Sequence, residues 1–183
     1  MTQTPQPSRQ ALAALHDSAF RWALVCCGQR EDWAREVMQM AYLEILTGRA
    51  RFDGRSTLKT WLFAVVRNTA RRHAARDRRL LTLKERLAGG AAWHVNGEAT
   101  EENGDAAEAI GREQTRRAIA AALRTLSARQ RQIVELVYYH ELSLAEAAAV
   151  MNVGLGSARR HFHRAKRTLA AALVPVREVL NDD

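Results

Sequence analysis

The run Ser143-Leu-Ala-Glu-Ala-Ala-Ala-Val-Met151, then Asn152-Val-Gly154, then Leu155-Gly-Ser-Ala-Arg-Arg-His-Phe-His-Arg-Ala-Lys-Arg-Thr-Leu169, decides the reading of this chain. Ser143 with Glu146 three residues on is a capping box, which starts a helix by satisfying its first backbone N–H groups. Asn152 can end that helix, because Asn accepts a left-handed backbone almost as Gly does. Gly154 then serves as N-cap of a second helix. Within it Ala158, Phe162, Ala165 and Leu169 recur at spacings of four, three and four, which predicts one buried stripe. Arg159, Arg160, His163, Arg164 and Arg167 fall on the other side, open to phosphates and base edges. Capping box, short turn and basic helix in this order predict a DNA-binding helix-turn-helix.

Composition is consistent with that partner. The 183 residues carry 28 Lys and Arg against 20 Asp and Glu, a net charge of +8. That excess favours a polyanion, nucleic acid before an acidic membrane surface. Aromatics are 6% and Pro only 3 residues, so helices are favoured and a sheet is not. No apolar run is long enough to span a bilayer, and the opening Met1-Thr-Gln-Thr-Pro-Gln-Pro7 lacks the features of a signal peptide, so a cytoplasmic protein without membrane insertion is expected. Cys26 and Cys27 are adjacent on an apolar segment with no second pair, which predicts a structural role and no metal site. Nothing resembles a phosphate loop, a ligand cluster or a nucleophile motif, so neither enzyme nor cofactor is expected. His73, His94 and His140 are scattered and read as surface residues.

Three stretches differ in character, predicting an all-α protein of two small helical domains. Residues 8–87 are helical throughout, with polar breaks at 28–30 and 48–56. Residues 88–111 are Gly-rich and acidic, with Glu98, Glu101, Glu102, Asp105 and Glu108, and read as a flexible linker. Residues 112–180 form the second unit, where Ser127 and Gln130 make another capping box before Ile133, Val134, Leu136 and Val137.

A second basic helix follows Ser56. Leu58, Leu62, Val65 and Thr69 share one face, Trp61 and Val66 flank it, and Lys59, Arg67 and Arg71 lie around the rest. Before it stands the aromatic-bearing turn Arg51-Phe-Asp-Gly-Arg-Ser56. A basic helix beside such a turn suits melted DNA, with arginines on the backbone and room for an unstacked base.

Taken together these segments resemble the extracytoplasmic-function sigma factors of bacterial RNA polymerase. Leu123–Leu169 resembles the family's region four, Phe52–Ala70 its regions two-point-three and two-point-four, and Glu31–Tyr42 its clamp-binding helix. The resemblance implies a non-enzymatic subunit that directs core RNA polymerase to promoter DNA and helps melt it. Carried over by residue, Phe52, Asp53, Gly54, Arg55, Ser56, Lys59, Asn68 and Arg71 would meet the minus-ten element. Ser157, Arg159, Arg160, His163, Arg164 and Arg167 would meet the minus-thirty-five element. Asp32, Arg35, Glu36, Gln39 and Leu43 would face polymerase from a helix spanning Glu31–Leu46, whose other side is Ala34, Val37, Met38, Ala41, Tyr42 and Ile45. Three positions depart from the family's pattern there: Arg35 for Gln, Met40 for a basic residue and Tyr42 for Trp. Many members are held by an anti-sigma factor, so such a partner is a further expectation. The alternative is a stand-alone helix-turn-helix regulator, whose first unit would dimerise or bind a ligand.

Overall fold

The fold was taken from a computed structural model that describes residues 6–88 and 108–181, and the side chains of 6–79 and 117–173. Every regular element among the described residues is helical. In chain order these are α1 (Arg9–Ala14), α2 (His16–Cys26), α3 (Glu31–Leu46), α4 (Leu58–Ala88), α5 (Glu108–Thr125), α6 (Ala128–Val134), α7 (Leu144–Met151) and α8 (Leu155–Asn181). A π-helical turn, Glu135–Tyr139, continues α6.

Local chemistry sets the ends. The Ser8 hydroxyl accepts from Ala11 N–H at 3.1 Å and caps α1. The α2–α3 connection turns through Gly28 and Gln29, both with positive φ. The boundaries of α3 match its amphipathic spacing, with Ala34, Val37, Met38, Ala41 and Ile45 buried. Both capping boxes form, at Ser127 with Gln130 and at Ser143 with Glu146. Each such cap is worth about 1 kcal/mol to its helix. Asn152 adopts the left-handed conformation at φ 49° and ends α7. Gly154 O accepts from Ser157 and Ala158 N–H, opening α8.

In the N-terminal half, α2, α3 and α4 pack on one another around Trp22, Val37, Leu62, Phe63 and Val66, all fully buried. The Trp22 indole N–H donates to Phe63 O at 3.0 Å, which fixes α2 against α4. In the C-terminal half α8 packs on α5, α6 and α7, and Ala158 and Ala165 are fully buried, with Phe162 and Leu169 half-buried beside them.

The two halves share one continuous core. α4 packs on α7, and α2 touches α6. Two sequence-based expectations change here. Of the stretch 88–111, residues 89–107 lie outside the described residues, and so do Glu98, Glu101, Glu102 and Asp105. Ala88 closes α4 and Glu108–Gly111 opens α5, so both helices reach into the expected linker. His140, expected at the surface, is 2% exposed. It follows the π turn, and its ring sits 4.6 Å from that of Phe63 and 6.3 Å from that of Trp22, edge-on to both. His73 is also largely enclosed, at 12% side-chain exposure. His94 lies outside the described residues.

Candidate nucleic-acid and polymerase interfaces

The basic face of α8 forms because its small apolar residues point inward. Arg159, Arg160, His163, Arg164 and Arg167 are all exposed, while Ser157 is half-buried. The Arg160 guanidinium donates to Ser157 Oγ at 3.1 Å, so one residue steadies the other. Four arginines on one side of α8 leave a surface of single sign. His161, turned partly inward among Arg129, Arg160 and Arg164, has its pKa lowered first by burial and then by those charges. A Cβ added at Gly154 would meet no atom within 4 Å; a Ser there would have room to cap.

The loop before α4 is organised by its own side chains. Gly54 takes a positive φ of 74°. The Asp53 carboxylate accepts from Arg55 N–H at 3.1 Å and lies 3.4 Å from the Arg55 side chain. Phe52 is half-buried against Trp61, ring centroids 5.4 Å apart, and the Trp61 indole N–H donates to Arg51 O at 3.1 Å. Asn68 stands seven residues from Trp61, two helical turns along the same side. Asn68 and Arg71 are exposed, as are Asp53, Gly54, Arg55 and Ser56. The structure thus brings this loop, Asn68 and Arg71 to one open side of α4.

Lys59 is not with them. Nine residues separate it from Asn68, half a turn round the helix. Its ammonium donates to His140 O at 2.6 Å, beneath the C-terminal half. Arg67, expected among the outward basic residues of α4, is 6% exposed. Its Nε donates to Gln132 Oε1 at 3.1 Å and its Nη1 has no hydrogen-bond partner among the described residues. Burial lowers its pKa, and Arg71 and Arg129 push the same way. The physical reason is register: Arg67 falls one residue after Val66 and four after Phe63, inside the stripe that meets the second half. That register was visible in the sequence; the covering partner was not.

On α3 the outward residues Asp32, Arg35, Glu36, Gln39 and Leu43 are exposed, Leu43 to 57%, and Leu46 at the helix end to 66%. Arg35 pairs with Glu31 along the helix. Glu36 lies 3.0 Å from His73 Nε2 on α4, with Trp33 edge-on to the same imidazole at 5.0 Å. Asp32, Gln39, Leu43 and Leu46 therefore offer an acidic-to-apolar strip. Tyr42, in the position where the family's pattern has Trp, stacks on His16, and their side chains are 3.0 Å apart.

Further residues shape the site without having been singled out beforehand. The Thr60 hydroxyl, 3.4 Å from Glu146 Oε1, joins α4 to α7. Gln132 reaches from α6 to Arg67 and, at 4.0 Å, to Cys26 Sγ. Burial raises both thiols, Cys27 to about 11, which fits their structural reading. No group of residues able to hold a metal ion occurs among the described residues. Nor is any helix among them long and apolar enough to cross a membrane.

Comparison with known proteins agrees with this geometry. Residues 12–80 match the family described as Sigma-70 region 2, and residues 116–169 match Sigma-70, region 4. The chain is 27% identical to the ECF RNA polymerase sigma factor SigX of Bacillus subtilis (strain 168), over 84% of this chain and 77% of that protein. It is 24% identical to the RNA polymerase sigma-H factor of Pseudomonas aeruginosa, over 78% and 74% of the two chains. Among solved structures, the sigma factor RpoE from Bartonella quintana, in complex with the anti-sigma factor NepR, shares the fold with a TM-score of 0.65. Its identity is 21%, with 90% of this chain and 95% of that one covered. CnrH, solved with the cytosolic domain of CnrY, gives 0.55 at 22% identity, covering 91% and 89%. A stand-alone regulator would share the helix-turn-helix but has no need of region 2, so the match over residues 12–80 sets that alternative aside. An N-terminal unit of region 2, a C-terminal helix-turn-helix of region 4 and the similarity to SigX place this chain among the extracytoplasmic-function sigma factors, the subunits that bring RNA polymerase to its promoters.

Proposed function

We propose that the two faces described above divide promoter recognition between them. Residues 8–87 act as the minus-ten and polymerase unit and residues 112–180 as the minus-thirty-five unit, with 88–111 connecting them. α8 enters the major groove at the minus-thirty-five element, where Arg159, Arg160, His163 and Arg164 meet base edges and Ser157 and Arg167 meet the backbone. The ordered Phe52–Ser56 loop captures an unstacked base of the minus-ten element, with Asn68 and Arg71 along the strand. Lys59, half a turn round α4 from Asn68 and held by the His140 carbonyl, stands outside that set. Asp32, Arg35, Glu36, Gln39 and Leu43 face core polymerase. The cytoplasm, where polymerase acts, is the proposed location. An anti-sigma factor is the proposed inhibitor, since one structural relative was solved with such a partner.

The observation that carries this reading is the basic face of α8, exposed and held in place by its buried alanines. In vitro transcription with purified core polymerase and a promoter library randomised at minus thirty-five tests it. The parent should select one motif. Arg160→Ala and His163→Ala should relax that selection by roughly 1–3 kcal/mol per lost base contact, and Arg167→Ala should lower use of all promoters more evenly. Unchanged selectivity in both base-contact variants would show that α8 does not read sequence.

A further inference from the structure

Two carboxylates of α3 reach α4, and they are held in different ways. Glu44 is a staple: the Arg72 guanidinium donates to its Oε2 at 2.6 Å, the Thr69 hydroxyl lies 3.4 Å from its Oε1, and its side chain keeps only 24% exposure. Glu36, about two turns nearer the start of the helix, meets α4 through its Oε2, 3.0 Å from His73 Nε2. With its side chain 56% exposed, that carboxylate keeps room for a partner. The imidazole beneath it has none. His73 is walled in edge-on by Trp33 at 5.0 Å, and the Arg30 guanidinium covers the Trp33 ring at 3.4 Å. His73 Nδ1 is buried and has no hydrogen-bond partner among the described residues, so the ring's served N–H is the one on Nε2, which donates to Glu36. Histidine is a poor choice here for packing alone. An enclosed ring nitrogen without a partner costs stability, and an apolar ring would meet Trp33 without that cost. The pair with so open a carboxylate returns little, because water screens it. Glu44 and the buried core already fix α3 to α4. What His73 supplies, and an apolar residue cannot, is a fixed N–H under Glu36.

We propose that His73 is a positioning residue for polymerase capture: it holds the Glu36 carboxylate in one orientation, ready to meet a cationic group of core polymerase. A free glutamate turns about its side-chain bonds and loses that freedom when it docks. A contact that orders the side chain beforehand removes this cost from association. Trp33 precedes Glu36 by three residues, so the two are neighbours on one side of α3 and bracket the imidazole between them. The ring therefore has no room to follow Glu36 outward, and the carboxylate is ordered without being covered. The proposal rests on the reading of Glu36 as polymerase-facing. It adds a residue of the neighbouring helix that touches nothing of polymerase and acts through Glu36.

Two measurements on the full chain test this together: the affinity for purified core polymerase, from titration of the labelled protein, and the urea midpoint of the protein alone. His73→Phe keeps a ring against Trp33 and removes the donor; His73→Leu serves if the larger ring disturbs the fold by circular dichroism. His73→Gln restores an N–H where Nε2 stood. The apolar variant should bind core polymerase about two- to tenfold more weakly, the weight of ordering one flexible side chain afresh. Its urea midpoint should equal the parent's or exceed it, because the unserved Nδ1 is gone. His73→Gln should bind as the parent does. In a Glu36→Ala background the apolar variant should bring no further loss, since the group it positions is absent. A lower midpoint with unchanged affinity would make His73 a packing residue and overturn the proposal. A loss of affinity that persists without Glu36, or that His73→Gln fails to restore, would overturn it too. If Glu36→Ala alone binds core polymerase as tightly as the parent, the polymerase-facing reading of Glu36 falls, and the role of His73 with it. If Glu36→Ala binds weakly while the apolar variants at 73 bind normally, that reading stands and only the positioning role is lost.

Discussion

His140 shows what one residue can do when its surroundings take away its water. Burial first, then the charges of Lys59 on α4 and Arg21 on α2, lower its pKa from 6.5 to about 4. Tyr139 lies edge-on to the same ring at 5.1 Å, and Glu135, itself raised by burial, faces it from the π turn. Because the folded pKa lies below the unfolded one, the unfolded chain takes up the proton first as pH falls. The stability contributed by neutral His140 is therefore full above pH 6.5 and drains away between 6.5 and about 4. At pH 5.5 the loss should be about 1 kcal/mol. Urea midpoints at pH 7.5 and 5.5 check this: the parent should lose more stability than His140→Phe, which keeps an aromatic ring and removes the proton site. His161 shifts in the same direction in both proteins, so the difference between them isolates His140. Nothing near His140 in the sequence announces this burial. Its neighbours Tyr138 and Tyr139 are exposed to 60% and 50%, and the rings that enclose it come from α2 and α4, over seventy residues away.

At the scale of elements, legibility follows whether the deciding interaction is local. α3, α7 and the start of α8 could be read off the chain because their ends are set by caps and turns within four residues and their faces by spacing. The π turn could not. Ile133, Leu136, Val137 and His140 suit an ordinary α-helix equally well, and the hydrogen bond from His140 N–H to Glu135 O, 3.1 Å, that widens it has no sequence mark. The same logic governs the outward side of α3, where spacing gives the exposed residues but not their purpose. Leu43 and Leu46 are the large apolar side chains left in water there, and a partner surface would remove that cost. Asp32→Arg with Glu36→Arg should weaken capture of core polymerase in a pull-down while circular dichroism stays unchanged, since both carboxylates project from the fold. The pair of Glu36 with His73 is largely exposed on the glutamate side, so its loss should cost the fold at most about 1 kcal/mol. Equal capture by the folded double variant would place the dock elsewhere.

At the scale of the whole molecule, the sequence suggests two independent units, and the structure shows two units with one core. The residues that join them look like members of their own halves: Trp22 and Phe63 as core of the first, Ser143 and Glu146 as a cap in the second. Only their meeting reveals the second duty. Glu146 carries both at once. One carboxylate oxygen accepts from Ser143 N–H at 3.0 Å and from its hydroxyl at 2.8 Å, and the other is reached by the Thr60 hydroxyl. Those Ser143 bonds, hydroxyl first, hold the Glu146 pKa below the ordinary value. Thr60 has a narrower role: its hydroxyl lies 2.8 Å from that of Thr57, but the cap of α4 is the Thr57 oxygen accepting from the Thr60 backbone N–H at 3.1 Å, a bond that does not need the Thr60 hydroxyl. This asymmetry has a genetic signature. In a selection for cells that over-express a reporter from the cognate promoter, Thr60→Val should be recovered as a gain-of-function allele, because it removes the hydroxyl that ties α4 to α7 and keeps the cap of its own helix. Substitutions at Glu146 should be absent from the survivors although they break the same contact, because they also remove the start of the helix-turn-helix. Sequencing the selected pool decides this, and Glu146 alleles enriched alongside Thr60 would mean the cap is dispensable. One shared oxygen pair thus makes half of this interface open to adaptive change and keeps the other half under purifying constraint.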